Sequence, residues 1–328
     1  MLAMSRQICK PFIKWPGGKS EEISIIHKFL PDSMENYIEP FLGGGACFLS
    51  LQPEQYKHAY VNDLSVELIR MFKLVKERDS NLLKYLNDIW FLWEYSGELY
   101  KDNSNEIIEY YKRYLDNDFD NNKLEKTINS FIDKTKYVFM KKLPTVFLSS
   151  QNELTSELKK SILSKIKNVK RKELKVGSLP HSDYSDNMEA GIKAGVYTYL
   201  RYLYNNPAIY NNQTFQIALF FYIREFCYSS MFRYNKKGEF NVPYGGKSYN
   251  NKNFRTKIEY LKDEGLLSRL SKATFYCKDF MDFLESIRIS ENDFMFLDPP
   301  YDGGFNTYAK NEFSQDDQIR LANYLIKE

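Results

Sequence analysis

Two consecutive prolines directly behind a short apolar run constrain this chain more than any other stretch. Asp293-Phe294-Met295-Phe296-Leu297 reads as a buried strand of a parallel sheet, and Asp298-Pro299-Pro300-Tyr301 follows it. Pro299 and Pro300 lack the N–H that a strand ladder needs, so the backbone must leave the sheet at once. That exit gathers a carboxylate, two carbonyl oxygens and an aromatic face just past the carboxyl end of a strand, where open α/β sheets carry their chemistry. Such a corner suits a planar ring bearing an amino group. A plain Pro-Pro turn with an incidental Asp is the alternative, and the other segments decide between the two.

Near the start, Phe12-Ile13-Lys14-Trp15-Pro16-Gly17-Gly18-Lys19 is an apolar approach, a Pro-Gly-Gly turn and a lysine ahead of a helix-like stretch from Glu21 to Leu30. The turn lets backbone come close to a ligand, and Trp15 and Lys19 suit an adenine ring and a carboxylate. An ordinary turn before a surface helix reads equally from this segment alone. Next, Tyr37 to Leu49 reads as strand, glycine turn and helix start, with Glu39 and Phe41 before Gly43-Gly44-Gly45. Ala46 to Phe48 supply no third glycine of a dinucleotide fingerprint, and Glu39 would repel a pyrophosphate. An acid there better suits a cationic or amine-bearing ligand. Ala59 to Asp63 is a second strand, and Leu64 to Val75 a helix behind it. Asp63 stands where an acid holds ribose hydroxyls in such sheets, or where it would cap the helix. Thr274 to Phe280 reads as a further strand ending in Asp279 and Phe280, for which a helix N-cap followed by a core phenylalanine is the alternative.

Between Met231 and Gly245, Lys236-Lys237-Gly238 is a basic turn between two short aromatic arms, suited to approaching DNA phosphates. Arg233 suits a bidentate contact to a guanine, and Met231 a wedge in a base stack. An exposed basic hairpin with a structural arginine is the plainer reading. Residues 80 to 213 are the least informative, with helix-like spacing around Leu82 to Leu92 and Leu154 to Ile166. Gly191 to Asn212 leads into a tyrosine-rich helix, and Phe215 to Phe226 into another. The basic run from Lys165 to Lys175 could track DNA backbone, but solvated helix faces look the same, and the solvated face is the preferred reading.

The set Lys14 to Lys19, Glu39 to Gly45, Asn62-Asp63, Met231 to Gly245 and Asp298 to Tyr301 resembles the Dam-type, D12-class adenine-N6 DNA methyltransferases. The resemblance implies a Rossmann-like S-adenosylmethionine-dependent α/β sheet with a helical insertion and a DNA-recognition β-hairpin. It implies Asp298, Pro299, Pro300 and Tyr301 as the catalytic residues, and S-adenosylmethionine as the cofactor. The cofactor would be held by Trp15, Lys19, Glu39, Phe41, Gly43, Gly45, Asp63, Asp279, Phe280 and Asp298. Double-stranded DNA would be met by Tyr228, Met231, Arg233, Asn235, Lys236, Lys237 and Pro243. Tyr228-Ser229-Ser230-Met231 departs from the aromatic-Asn-Gly-apolar run common in the family, so the recognition sequence is not carried over. Expected domains are 1–79 and 271–328 for the catalytic part and 80–270 for the insertion and target recognition.

The chain stops soon after the helix-like Ile319 to Ile326, so the last strands of the family's sheet are expected to be missing or supplied by a C-terminal partner chain. An inactive DNA- or partner-binding remnant, favoured by the missing strands, is the alternative to an active enzyme, favoured by the intact Asp298 to Tyr301 run. A protein-glutamine methyltransferase would carry Asn in place of Asp298. The four cysteines are widely spaced and histidines number three, which indicates neither a metal site nor a disulfide framework. With a net charge of +3 and no span-length apolar run, the expectation is a cytoplasmic protein without a membrane segment.

Overall fold

The computed structural model describes residues 8–300 and 313–327. Four parallel strands, β1 (Met34–Glu39), β2 (Tyr56–Asn62), β3 (Ala273–Tyr276) and β4 (Phe294–Met295), pair in the order β3-β2-β1-β4. The helices, in chain order, are α1 (Ile23–Ile26), α2 (Ala46–Ser50), α3 (Val66–Lys76), α4 (Ser80–Leu115), α5 (Asn121–Lys141), α6 (Gln151–Val176), α7 (His181–Asn205), α8 (Gln213–Phe226), α9 (Arg255–Tyr260), α10 (Glu264–Ser271), α11 (Phe280–Glu285) and α12 (Gln315–Lys327). The chain divides into two compact units, one of residues 1–83, 230–241 and 256–328, the other of 84–229 and 242–255.

The first unit holds the sheet. The side chains of β1 alternate between its faces: Tyr37 stacks on Phe48 and Phe294, while Ile38 joins Phe280, Phe283, Leu284 and Leu321 in a buried cluster. Ser65 caps α3 by accepting from the Leu68 N–H, and the helix buries Leu68, Ile69, Met71, Phe72, Leu74 and Val75. The expected buried strand from Asp293 to Leu297 is instead half-buried: Phe294 and Met295 form the strand at the sheet edge among the described residues, and the Phe296 N–H still donates to the Ile38 carbonyl at 2.8 Å. The helix expected from Glu21 is reduced to the single turn of α1.

The second unit is helical. Helix α7 includes Gly191 and Gly195, where the missing side chains let α6 approach. A Cβ on Gly191 would lie 3.1 Å from Lys165 Cβ, and one on Gly195 would lie 2.9 Å from Leu158 Cα. The tyrosine-rich and phenylalanine-rich helices α7 and α8 supply core: Tyr197, Tyr199, Phe221 and Tyr222 are all buried.

Candidate active site

Neighbouring strands β1 and β4 are the point where the strand order reverses, since β2 and β3 lie on one side of β1 and β4 on the other. In open parallel sheets the crevice at the carboxyl ends of such a pair receives the ligand. Glu39 closes β1, and Asp298 follows β4 by three residues.

Lys19 reaches Asp298, with Nζ 2.7 Å from Oδ2, and also donates to the Gly17 carbonyl at 3.0 Å. Gly17 adopts φ +73°, the left-handed conformation that the Pro-Gly-Gly turn requires. Trp15, half-exposed, lies over the glycine loop, where a Cβ on Gly43 would sit 3.0 Å from its Cδ1, and 5.5 Å from the Phe232 ring centroid. The glycines here are thus needed for the chain's own packing against Trp15. Gly45, at φ +71°, ends the loop and opens α2.

Glu39 is 2% exposed and accepts from the Tyr37 hydroxyl at 2.9 Å. Burial holds its carboxyl well above the usual carboxylate range; the Tyr37 hydrogen bond opposes this, and the negative charge of Asp298 adds to it. Tyr37 escaped the sequence reading, although its spacing of two from Glu39 puts both on one face of the strand. Asp63 does not cap α3. Its Oδ2 accepts from the Gly43 N–H at 2.9 Å and its Oδ1 from the Ser65 N–H at 2.8 Å, so it ties the glycine loop to the end of β2.

Asp279 does cap a helix, accepting from the Met281 N–H. It also pairs with Arg320 at 2.7 Å, and the Arg320 guanidinium lies 4.9 Å from the Phe280 ring centroid. Phe280 is a core residue beside Phe41, at 5.4 Å between centroids. Arg320 gave no sequence signal, because it is 41 residues from its partner. Pro299 is half-exposed and Pro300 exposed, and the Pro300 carbonyl accepts from Gln318 at 3.4 Å. Tyr301 lies outside the described residues.

Within the same unit, residues 233–241 form a turn closed by an antiparallel bridge between Tyr234 and Phe240. Asn235 shapes it: its Oδ1 accepts from the Lys237 and Glu239 N–H groups and its Nδ2 donates to Glu239. Gly238 takes φ +76°, leaving Lys236 and Lys237 exposed at the tip. Arg233 is exposed, with Nε donating to Asn241 at 3.1 Å, and Met231 is half-exposed. The arms are anchored by buried Phe232 and Phe240, 5.9 Å apart. In the second unit, Tyr228 and Pro243 are both exposed, and the Tyr228 N–H donates to the Pro243 carbonyl at 2.9 Å. The preceding Val242 carbonyl accepts from both Tyr197 and Arg201.

A parallel four-stranded α/β sheet thus carries Glu39, Asp63 and Asp298 at or just past the carboxyl ends of its strands, with Lys19 on Asp298. The chain is a member of the D12 class of N6 adenine-specific DNA methyltransferases, whose family model matches residues 15–175 and 162–327. It is 27% identical over 333 residues to the type II methyltransferase M.MjaIII of Methanocaldococcus jannaschii, covering 97% of this chain and 80% of that protein. It is 23% identical over 326 residues to a DNA adenine methylase of Vibrio cholerae, covering 97% of this chain and 76% of that one. Against the retron Ec67 DNA adenine methylase of Escherichia coli the identity is 39% over 106 residues, covering 32% of this chain and 34% of the relative. Among the described residues, no cluster of His, Cys, Asp and Glu is arranged to hold a metal ion, and no helix is long and apolar enough to cross a membrane.

Proposed function

We propose that this methyltransferase uses S-adenosylmethionine to methylate N6 of an adenine turned out of duplex DNA, at a specific site and in a restriction-modification or phage setting. The observation that carries this reading is Asp298 at the switch point, with one carboxylate oxygen fixed by Lys19. The donor set fits the cofactor: Asp63 and Asp298 supply acidic groups and the buried, neutral Glu39 a hydrogen-bonding one, while Trp15 offers a flat wall beside the glycine loop. Trp15, Glu39, Phe41, Gly43, Gly45, Asp63, Asp279 and Phe280 would hold it, and Lys19 is placed to act on Asp298. When bound, S-adenosylmethionine supplies an electrophilic methyl group on sulfur.

The N6 lone pair of adenine is delocalised into its ring, so the amine is a poor nucleophile. Asp298 and the Pro299 carbonyl accept the two N6 hydrogens and draw the nitrogen towards tetrahedral geometry, which frees the lone pair. Asp298 would take up the proton that N6 loses on accepting the methyl group, whose bond to sulfur is the one given up. Preorganised acceptors aimed at a nitrogen that gains positive charge supply the catalysis. Extracting the base costs a few kcal/mol, which DNA contacts offset, with Tyr301 expected to stack on the base. Residues 1–79 and 271–328 are assigned the catalytic part and 80–270 the insertion and target recognition. In that region Met231, Arg233, Lys236 and Lys237 would face DNA at the turn that Asn235 shapes, and Tyr228 and Pro243 would add contacts from the second unit.

Asp298→Ala should abolish methyl transfer while DNA affinity stays within about threefold, measured by filter binding beside a labelled-methyl assay; retained turnover overturns the mechanism. Arg233→Ala should relax discrimination at one guanine by roughly 1–3 kcal/mol, seen by mapping methylated sites. An equal loss on every sequence would make Arg233 a phosphate contact instead.

A further inference from the structure

Helix α6 carries a charge pattern that a merely solvated helix avoids. From Lys159 to Val176 it holds eight Lys or Arg and a single acid, Glu173. Glu173 is buried and committed, accepting from the Tyr111 hydroxyl and the Leu179 N–H. The helix packs inward through Leu154, Leu158, Ile162, Ile166 and Val169, so its helical period turns Lys167, Arg171 and Lys175 outward. Arg171 and Lys175 are exposed and Lys167 is half-exposed.

The other cations of the helix are accounted for. Lys159 pairs with Asp133 and Lys160 with Glu157, each at 2.8 Å. Lys165 lays its stem against Gly191, Lys170 donates to Asn117, and the charge of Lys172 acts on Asp183. Lys167, Arg171 and Lys175 remain, at i, i+4 and i+8, and among the described residues none of them forms an ion pair. Solvated helices place Glu and Lys four apart, whereas like charges at that spacing destabilise the helix. The negative end of the helix dipole accounts for Lys175 in the last turn but not for Lys167 and Arg171, which lie further in.

We infer that this ladder is a docking face for duplex DNA backbone outside the methylated site, a sequence-independent grip supplied by the helical unit. The inference rests on the reading of this chain as a DNA methyltransferase. Three cations rising about 6 Å per step meet a polyanion that carries one charge per about 1.7 Å of axis, and the repulsion along the ladder becomes attraction.

The test uses the full chain with all three residues changed to Gln, compared with wild type and with a control changed at the exposed Lys57, Lys262 and Lys327. DNA affinity is measured on a long duplex from about 50 to about 200 mM salt. Each phosphate contact contributes about 0.9 to the slope of log affinity against log salt. The ladder variant should therefore lose about two to three units of slope, so that its affinity falls roughly 40-fold less over that range. Its rate at saturating DNA and its methylated sequence should match wild type. The charge-conserving variant K167R/R171K/K175R, made against misfolding, should keep the wild-type slope. A ladder-variant slope equal to that of wild type, or a reduction no larger than the control's, overturns the inference. Absence of both methyl transfer and salt-dependent DNA binding in the wild-type protein would instead overturn the methyltransferase reading itself.

Discussion

Replacing Lys19 by Met keeps most of the side-chain stem and removes the ammonium, which isolates what its 2.7 Å pair with Asp298 contributes. The two side chains are 18% and 22% exposed, so the pair is neither dry nor fully solvated. Unit charges about 4 Å apart attract by ~4 kcal/mol at an effective dielectric of ~20 and by ~1 kcal/mol in water. Desolvation of both groups takes back part of the gain, leaving about 2 kcal/mol. If that interaction holds the Asp298 carboxylate in its productive orientation, its loss should slow transfer by roughly 30-fold. Single-turnover methyl transfer at saturating cofactor and DNA gives the rate, and calorimetric titration gives cofactor affinity, with circular dichroism to confirm folding. The account predicts the loss in the rate and a change in affinity below about threefold. An unchanged rate with a weakened cofactor would refute the reasoning and make Lys19 a ligand for the cofactor carboxylate.

Two further expectations concern stability. Glu39, raised by burial, stays neutral in the folded protein as pH climbs past the carboxylate range of the unfolded chain, so ionisation then favours unfolding. Wild type should accordingly lose stability relative to Glu39→Gln as pH rises above about 4.5, by at most about 1.4 kcal/mol per pH unit. Parallel urea midpoints for the two proteins over that rise would refute it. Ser229 and Ser230 both adopt φ +52°, a left-handed conformation costing roughly 1–2 kcal/mol for a residue with a side chain. After its own entropy loss, Ser230→Gly should raise stability by about 0.5–1 kcal/mol, and a lowered urea midpoint would contradict the strain.

Those two serines show what the sequence conveyed and what it hid. They stand where Asn-Gly is common in the family, and both adopt the left-handed backbone that Asn and Gly favour. Periodicity made β1, β2 and α3 legible, because their buried faces repeat every two or every three to four residues. It misjudged the strand before Asp298, since burial depends on what covers a strand and β4 is an edge among the described residues. Gly191 and Gly195 carried no sequence signal of their packing role, because the close approach of α6 to α7 is not visible in a sequence. At the site, the Pro-Gly-Gly turn, the glycine loop and the Asp-Pro-Pro corner were readable as local motifs. The partners of their charged groups were not: Lys19 meets Asp298 and Arg320 meets Asp279 only after the sheet has brought distant segments together.

The central claim is tested most directly by incubating the full chain with S-adenosylmethionine labelled in its methyl group and unmethylated duplex DNA, then analysing the bases of the product. The account predicts label in N6-methyladenine, lost in Asp298→Ala. Label in cytosine, or a folded protein that binds S-adenosylmethionine and DNA yet transfers nothing, would contradict it.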